Sequence, residues 1–145
     1  MRVERADPTT AEARRLLATH EAEMAARYPM GAWAGTGGQK DVFWVARGYD
    51  GRAVGCVALR VLGGDLVELK HLFVDRSARR TGVGSALMDA AEQEARRRRL
   101  RIVLETGIEQ PEALALYRSR GYRERPAYEG SDADSEGSIY FELGE

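Results

Sequence analysis

The segment from Phe73 to Leu87 is the stretch whose residue types and spacing point most directly to chemistry. It reads FVDRSARRTGVGSAL, so an apolar strand runs into a polar loop and then into a helix that opens with Gly82-x-Gly84. The first turn of a helix exposes backbone N–H groups without acceptors at the positive end of the helix dipole. Glycines let a phosphate approach that backbone closely, and neighbouring arginines supply counter-charge. The segment therefore predicts a cradle for a pyrophosphate.

Other phosphate-binding loops match this segment less well. A dinucleotide-binding fold needs a third glycine where Leu87 stands, together with a repeated strand–helix–strand pattern. A nucleoside-triphosphate loop needs Gly-Lys-Ser/Thr, which the sequence lacks. A helix opened by glycines without any ligand is the structural alternative. The preceding strand and the pair Arg79-Arg80 favour phosphate binding over it.

The segment 79–84 (RRTGVG) resembles the coenzyme A signature, Gln/Arg-x-x-Gly-x-Gly/Ala, of the GNAT N-acetyltransferase superfamily, whose members depend on acetyl-CoA. The strand ELKHLFV (68–74) before it is similar to the fourth strand of that family. The later run QPEALALY (110–117), ended shortly after by Gly-Tyr, resembles the family's second cofactor motif. These matches cover roughly residues 53–122 in the family's order.

The resemblance implies where acetyl-CoA, as the co-substrate, would bind. It implies a V-shaped opening between the fourth and fifth strands, in which the main chain of the fourth strand pairs with the pantetheine arm as an added strand would. The pyrophosphate would lie on the loop and the first turn of the next helix. Gln110 departs from the family pattern, which often has Asn there. The cofactor-binding residues implied are Leu72, Phe73, Val74, Arg79, Arg80, Thr81, Gly82, Val83, Gly84, Ser85 and Gln110.

Transfer of an acyl group from a thioester to an amine defines three catalytic roles. The amine must first lose a proton, because aliphatic amines have a pKa near ~10. Its attack creates an oxyanion, which needs an N–H donor, and the departing thiolate benefits from a proton donor. Glu68 matches the position from which some family members use a glutamate as the base, directly or through water. The alternative is a solvent-facing strand carboxylate that pairs with Lys70 on the same face.

Tyr117 resembles the family's tyrosine on the helix after the fifth strand, whose hydroxyl points at the thioester sulfur. It is therefore the candidate proton donor, and an aromatic side chain packed against the sheet is the alternative. The oxyanion donor would be a main-chain N–H near Phe73. Glu105 follows the splayed strand, which makes it a candidate contact of the acceptor amine.

Other reactive residue types are explained by structure rather than by catalysis. Cys56 lies mid-strand among apolar residues and is expected in the core. Strict alternation along its strand puts His71 on the face opposite Glu68, as a core histidine. Two histidines without ligand spacing predict no metal site. The arginine run 96–99 at a helix end complements the helix dipole, with an RNA or acidic-protein contact as the alternative.

The elements that would position these residues follow from hydrophobic periodicity and turn residues. The length predicts one domain over residues 1–145. The element order predicts an α/β fold with a mixed, mostly antiparallel central sheet and helices on both faces. The resemblance adds a splay between strands 4 and 5. The predicted strands cover 1–6, 41–47, 53–62, 66–74, 102–104 and 138–143, and the predicted helices about 8–27, 82–97 and 111–120.

Composition limits the partners and the compartment. With 22 basic and 23 acidic side chains the formal net charge is −1, so neither nucleic acid nor an anionic membrane is expected as a partner. The single cysteine excludes an internal disulfide and favours a reducing compartment. With no apolar leader and no apolar span in the sequence, a cytoplasmic protein is expected. A homodimer stays open.

The sequence leaves the acceptor of the acyl group open. In the resembling family it lies between the first helix, the loop after it and the later hairpin. A primary amine of a small molecule is the first prediction, and a protein or peptide N-terminus or lysine is the alternative. A non-catalytic acyl-CoA-binding sensor is the alternative of another class. The residues implied on the acceptor side are His20, Glu21, Met24, Tyr28, Trp33 and Tyr128.

Overall fold

The computed structural model describes residues 1–27, 41–107, 111–128 and 137–144. The predicted order of strands and helices is confirmed within these ranges. The fifth strand is longer than predicted, and a short strand follows the third helix. The strands are β1 (Arg2–Arg5), β2 (Val42–Arg47), β3 (Ala53–Gly63), β4 (Leu66–Val74), β5 (Arg101–Gly107), β6 (Arg123–Arg125) and β7 (Ser138–Leu143), and the helices are α1 (Ala11–Arg27), α2 (Val83–Arg97) and α3 (Pro111–Ser119).

The strands form one seven-stranded sheet in the order β1-β2-β3-β4-β5-β7-β6. Neighbouring strands run antiparallel, except that β4 and β5 are parallel. Parallel strands need a crossover, and α2 supplies it between β4 and β5. The mixed, mostly antiparallel sheet that the sequence predicted is therefore confirmed.

The parallel pair β4–β5 separates soon after it begins. Only 66–68 of β4 pair with 101–103 of β5, and Glu68–Val103 is the last pair. Both strands continue beyond that point, β4 as far as Val74 and β5 as far as Gly107, without pairing with each other. The splay expected between the fourth and fifth strands is therefore present, and it forms a wedge-shaped opening with Glu68 at its apex.

Helices cover both faces of the sheet, as predicted. On one face Ala13 and Leu16 of α1 pack against apolar side chains of β2, β3 and β4. On the other face α2 and α3 bury a larger apolar cluster against the sheet. Its buried members include Leu87, Met88, Ala91 and Tyr117 from the helices and Val57, Leu69, Leu104 and Phe141 from the strands.

The first turn of α2 lies close to the sheet because β3 carries a glycine beneath it. A Cβ atom at Gly55 would lie 2.9 Å from the main-chain oxygen of Phe73 and 3.1 Å from the side chains of Val83 and Leu87. In a close-packed interior a larger residue would force the helix and the sheet apart. Gly55 therefore sets how closely the N-terminus of α2 approaches β4.

A β-bulge interrupts β4 where the strand lines the opening. The β3–β4 register leaves two β4 residues, His71 and Leu72, opposite the single β3 residue Val57. His71 has a left-handed backbone conformation, with φ of 56°, which is uncommon for a residue other than glycine. The extra residue shifts the alternation of side chains along β4 by one position.

The bulge overturns the prediction that His71 lies on the face opposite Glu68. Leu69 before the bulge and Leu72 within it both pack on the α2 side, although strict alternation would put them on opposite faces. The His71 ring lies 6.2 Å from the ring of His20 on α1, so it is on the α1 face. His71 is buried, as predicted, but a two-residue period cannot be carried across a bulge.

Candidate active site

The N-terminus of α2 presents main-chain N–H groups to the loop after β4. The helix begins at Val83 after Gly82, whose backbone is left-handed with φ of 86°. No side chain caps this end among the described residues, and the Ala86 N–H is bonded to the Gly82 carbonyl. The Thr81 hydroxyl donates to a carbonyl of the preceding turn. The N–H groups of 83–85 therefore lack acceptors within the helix, as an anion site requires.

The two glycines of this turn have different structural requirements. The positive φ of Gly82 is a conformation that residues with a Cβ rarely adopt. A Cβ at Gly84 would lie 3.8 Å from Leu116 and 3.9 Å from Val74, which are ordinary van der Waals distances. Position 84 therefore accepts alanine sterically, whereas position 82 requires glycine.

The two arginines before this turn are used differently. Arg79 donates to both carboxylate oxygens of Glu23 on α1 at 2.8 Å, and to the Val74 carbonyl at 2.9 Å. Its guanidinium carbon also lies 5.8 Å from the centre of the Phe73 ring. Arg80 is exposed, and its side chain forms no hydrogen bond or ion pair with the described residues. Arg80 is therefore available to an anion, while Arg79 ties the loop to α1 and to β4.

Leu72, Phe73 and Val74 lie on the part of β4 that no longer pairs with β5. Leu72 and Val74 contact the cluster on the α2 side, and Phe73 belongs to the cluster on the α1 side. Because β5 has diverged, the main-chain groups of this edge are not bonded to it and can accept an extended ligand. Gln110, the remaining predicted cofactor contact, lies outside the described residues.

Glu68 points to the α1 face from the apex of the opening. Its partner in β3, Arg60, is on the same side of that strand as Ala58, which packs in the α1-side cluster. The Glu68 side chain is only 6% exposed, so the solvent-facing alternative is wrong. Its Oε2 accepts a hydrogen bond of 2.6 Å from the Tyr128 hydroxyl. Its Oε1 is buried and has no hydrogen-bond partner among the described residues.

Two cations face Glu68 Oε1 from beyond hydrogen-bond distance. Arg60 Nε lies 3.6 Å away and Lys70 Nζ lies 3.8 Å away. Their positive charge stabilises the buried carboxylate electrostatically. Lys70 was predicted as a partner of Glu68, whereas Arg60 was missed. Arg60 could have been found in the sequence, because it is the one charged residue in the otherwise apolar strand β3.

Tyr128, predicted on the acceptor side, is brought into contact with the candidate base. Burial, and then its hydrogen bond to Glu68, raise the pKa of Tyr128, so its hydroxyl stays a donor at neutral pH. Its ring contacts that of Tyr140 edge to face at 5.8 Å. Tyr140 lies opposite Glu105 in the β5–β7 register, and the Ser138 hydroxyl donates to Glu105 at 2.7 Å. The sequence reasoning had missed Tyr140.

Tyr117 lies in the core between α3 and the sheet. Its ring is 5.7 Å from that of Tyr122 and 6.1 Å from that of Phe141. Burial raises the pKa of Tyr117, so its hydroxyl is protonated at neutral pH. Tyr117 is thus an aromatic side chain packed against the sheet, which was the alternative to a proton donor. The same burial keeps its hydroxyl protonated, as a proton donor must be.

The described end of α1 carries three of the residues predicted on the acceptor side. His20 is buried and stacks on Phe73 with ring centres 5.3 Å apart. Met24 is half-buried and Glu21 is exposed. The other two predicted acceptor residues, Tyr28 and Trp33, lie outside the described residues.

Cys56 is a core cysteine, as predicted. It is fully buried, and its Sγ donates to the His71 carbonyl at 3.4 Å. Burial, with a smaller effect of Asp75, raises the pKa of the thiol to about 12. A thiol with this pKa is not a nucleophile at neutral pH, so the structure favours no acyl-cysteine route.

Two arginines of the run at the end of α2 form structural ion pairs. Arg97 and Arg98 contact Glu94 at 2.5 and 2.6 Å, and Arg5 of β1 contacts it at 2.5 Å. Hydrogen bonds from Arg97 and Arg5 lower the pKa of Glu94 to about 2. Within the described ranges no cluster of residues is suited to bind a metal ion, and no helix has the length and apolarity to cross a membrane.

Comparison with known sequences identifies the family. A sequence model of the Acetyltransferase (GNAT) family matches residues 9–122. An IAA acetyltransferase from Azospirillum brasilense is 40% identical over 85 residues, which is 57% of this chain and 55% of that protein. The match therefore spans about half of the length of this curated relative.

Solved structures agree with that assignment. A Klebsiella pneumoniae protein assigned as an acyl-CoA N-acyltransferase has a TM-score of 0.83 and 30% identity, over 97% of this chain and 94% of that chain. A GNAT acetyltransferase from Elizabethkingia anophelis with acetyl-CoA bound shares the fold, with a TM-score of 0.71 and 17% identity over 99% of this chain and 97% of that chain. With its glycine-opened helix, its splayed sheet and the match over 9–122, the chain belongs to the Acetyltransferase (GNAT) family.

Proposed function

We propose that this protein transfers an acetyl group from acetyl-CoA to the primary amine of a small molecule, by direct attack in a ternary complex. The observation that carries the proposal is the uncapped N-terminus of α2 behind Gly82, next to the splayed edge of β4. Family membership supports an acyl-CoA donor, and the acetyl-CoA held by the Elizabethkingia protein supports acetyl as the group transferred.

The residues around the opening fit the parts of acetyl-CoA. The N–H groups of 83–85 would hold the pyrophosphate, and the exposed Arg80 would add counter-charge. The main chain of 72–74 would pair with the pantetheine arm. The bound thioester would supply an acyl carbon open to attack by an amine. A main-chain N–H near Phe73 would stabilise the negative charge that develops on the acyl oxygen.

Two side chains would move the protons. Glu68 would take the proton of the ammonium group on Oε1, the oxygen without a hydrogen-bond partner, while Tyr128 holds Oε2. Tyr117 would protonate the departing thiolate, since burial keeps its hydroxyl protonated. These groups lie on opposite faces of the sheet, so base and acid would act on opposite sides of the reacting carbon.

The test is release of free thiol from acetyl-CoA in the presence of a panel of small amines and peptides. Glu68→Gln should lower the rate at least tenfold near neutral pH, in line with typical general-base contributions of ~10²–10⁴. Its affinity for acetyl-CoA, measured by calorimetry, should be unchanged. Glu124→Gln, at an exposed site on β6 at the edge of the sheet, is the matched control and should keep full activity.

The same experiment separates the competing functions. Thiol release with peptides alone favours a protein or peptide acetyltransferase. Binding of acetyl-CoA without thiol release for any acceptor favours an acyl-CoA sensor. If calorimetry on folded protein detects no affinity for coenzyme A or its acylated forms, the proposal is wrong.

A further inference from the structure

Arg60 and Lys70 are cations that the described structure leaves without hydrogen bonds. Their side chains are only 28% and 16% exposed. Among the described residues the one charged group they approach is Glu68 Oε1, at 3.6 and 3.8 Å, and both distances are longer than a hydrogen bond. Withdrawing a cation from water is costly unless its donors are bonded elsewhere. The donors of both cations are therefore left without hydrogen-bond acceptors among the described residues.

Arg60 differs in this respect from the other arginines of similar exposure. Arg47, Arg120 and Arg125 have side chains that are 20%, 18% and 25% exposed. Each of them donates at least one short hydrogen bond to a carboxylate of the protein. Each of these three described arginines thus has a carboxylate as its hydrogen-bond acceptor. The exception at Arg60 lies beside the candidate base, which points to a carboxylate that the ligand supplies.

The sheet register puts this pair of cations next to the reacting position. Arg60 lies directly across from Glu68, and Lys70 follows two residues later on the same face of β4, across from the small side chain of Ala58. Glu68 itself marks the apex of the β4–β5 opening. The carboxylate of Glu105 adds a second carboxylate to the same face, and it accepts a hydrogen bond from the Ser138 hydroxyl on β7. An acceptor whose amine reaches Glu68 would therefore bring its neighbouring atoms over Arg60 and Lys70.

We propose that the acceptor carries a carboxylate close to its amine, as an amino acid does, and that Arg60 and Lys70 bind this carboxylate. This inference rests on the proposed function and names its substrate class. A guanidinium and an ammonium beside each other offer a carboxylate charge-assisted hydrogen bonds. Both side chains offer only donors, so a second ammonium beside them would find no acceptor, and diamines and polyamines are rejected as acceptors.

The test compares matched acceptors on the full chain with acetyl-CoA. Thiol release is measured with the common amino acids, with the carboxamide of each, and with the corresponding decarboxylated amine, such as phenylalanine, phenylalaninamide and phenethylamine. A charge-assisted hydrogen bond predicts that the amino acid exceeds its carboxamide in kcat/KM by about 10- to 100-fold. Arg60→Met and Lys70→Met should each reduce this ratio, mainly through KM. Because the ratio compares two acceptors in the same variant, any effect of the substitution on Glu68 that is equal for both acceptors cancels.

Arg52→Met is the matched control, because Arg52 is exposed in the β2–β3 turn and its side chain contacts none of the described residues. Arg52→Met should keep the preference of the unmodified chain for the amino acid over its carboxamide. The inference is overturned if carboxamides or diamines are used as well as amino acids, or if the preference survives in the Arg60→Met/Lys70→Met double variant. If only amines that lack a carboxylate are turned over, the inference is wrong and the proposed function still stands.

A binding measurement covers the case in which no tested amine is turned over. The protein saturated with coenzyme A is titrated with N-acetylphenylalanine and with its amide. Binding of the anion that is at least tenfold tighter than that of the amide, and that is lost in Arg60→Met, supports the inference. Equal affinities overturn it. Thermal unfolding of each variant verifies that the chain is folded.

Discussion

Replacing Tyr128 with phenylalanine removes the only hydrogen bond of the Glu68 carboxylate within the described structure. That bond is 2.6 Å long and joins residues that are 5% and 4% exposed. A hydrogen bond to a charged group contributes ~1.5–3 kcal/mol, and a buried partner left unsatisfied costs a similar amount. Arg60 and Lys70 remain near Oε1 and still offset part of the carboxylate charge. We therefore expect Tyr128→Phe to lower the free energy of unfolding by about 2 kcal/mol.

The assay is urea unfolding at neutral pH, followed by circular dichroism, in a double-mutant cycle with Glu68→Met. Residues in direct contact should show a coupling free energy of about 1–2 kcal/mol. Tyr49→Phe is the matched control, because Tyr49 is fully exposed, and it should change stability by less than ~0.5 kcal/mol. A coupling below ~0.3 kcal/mol would refute the reasoning, since the hydroxyl would then not hold the carboxylate in place.

Four further expectations follow from the described contacts. Gly82→Ala should lower the free energy of unfolding by ~1–2 kcal/mol because of the positive φ at this position, and it should weaken acetyl-CoA binding in calorimetry. Gly84→Ala should bind acetyl-CoA almost normally. Equal losses of acetyl-CoA affinity in the two variants would contradict the cradle. Tyr117→Phe should lower turnover without changing acetyl-CoA affinity, and full activity would reject the proton-donor role. Because burial raises the pKa of Cys56 to about 12, its thiol should react with iodoacetamide at pH 7.5 at least ~100-fold more slowly in the folded protein than in urea. Equal reaction rates would contradict the burial of Cys56. Because the pKa of Glu94 is lowered from 4.5 to about 2, its stabilising effect is complete above pH 4.5 and is lost as the pH falls towards 2. Glu94→Gln should therefore be less stable than the unmodified chain at pH 7 in urea unfolding, with the difference closing below pH 4.5; a constant difference would contradict the ion pairs.

The bulge in β4 shows where pattern reasoning fails. The element order and most boundaries could be predicted, because apolar periodicity and turn residues are properties of short segments. Alternation along β4 was correct for Glu68 and Lys70 but wrong for His71, which lies after the point where the register shifts. A bulge depends on how two strands pair, and a single strand's pattern does not record it.

The glycine-opened helix start, where the cofactor cradle stays a prediction, could be predicted for the opposite reason. The glycines, the first helical turn and the arginines are contiguous between Arg79 and Ser85. One short segment therefore carries all the features on which the prediction of a cradle depends. Only the tertiary structure showed that Arg79 turns to Glu23 on α1 and leaves Arg80 exposed. The direction of a long charged side chain is decided by the nearest opposite charge, which here comes from a distant element.

The sequence by itself determined that glycines open the helix after the fourth strand, and it predicted a pyrophosphate cradle there, with a glutamate as the base and a tyrosine as the proton donor. The tertiary structure alone decided that Glu68 is buried at the apex of the splayed strands, held by Tyr128 from 60 positions away and faced by Arg60 and Lys70. The physical reason is that helix capping and alternation are local. Burial, charge balance and hydrogen bonding of a side chain depend on strands that meet only after the chain has folded.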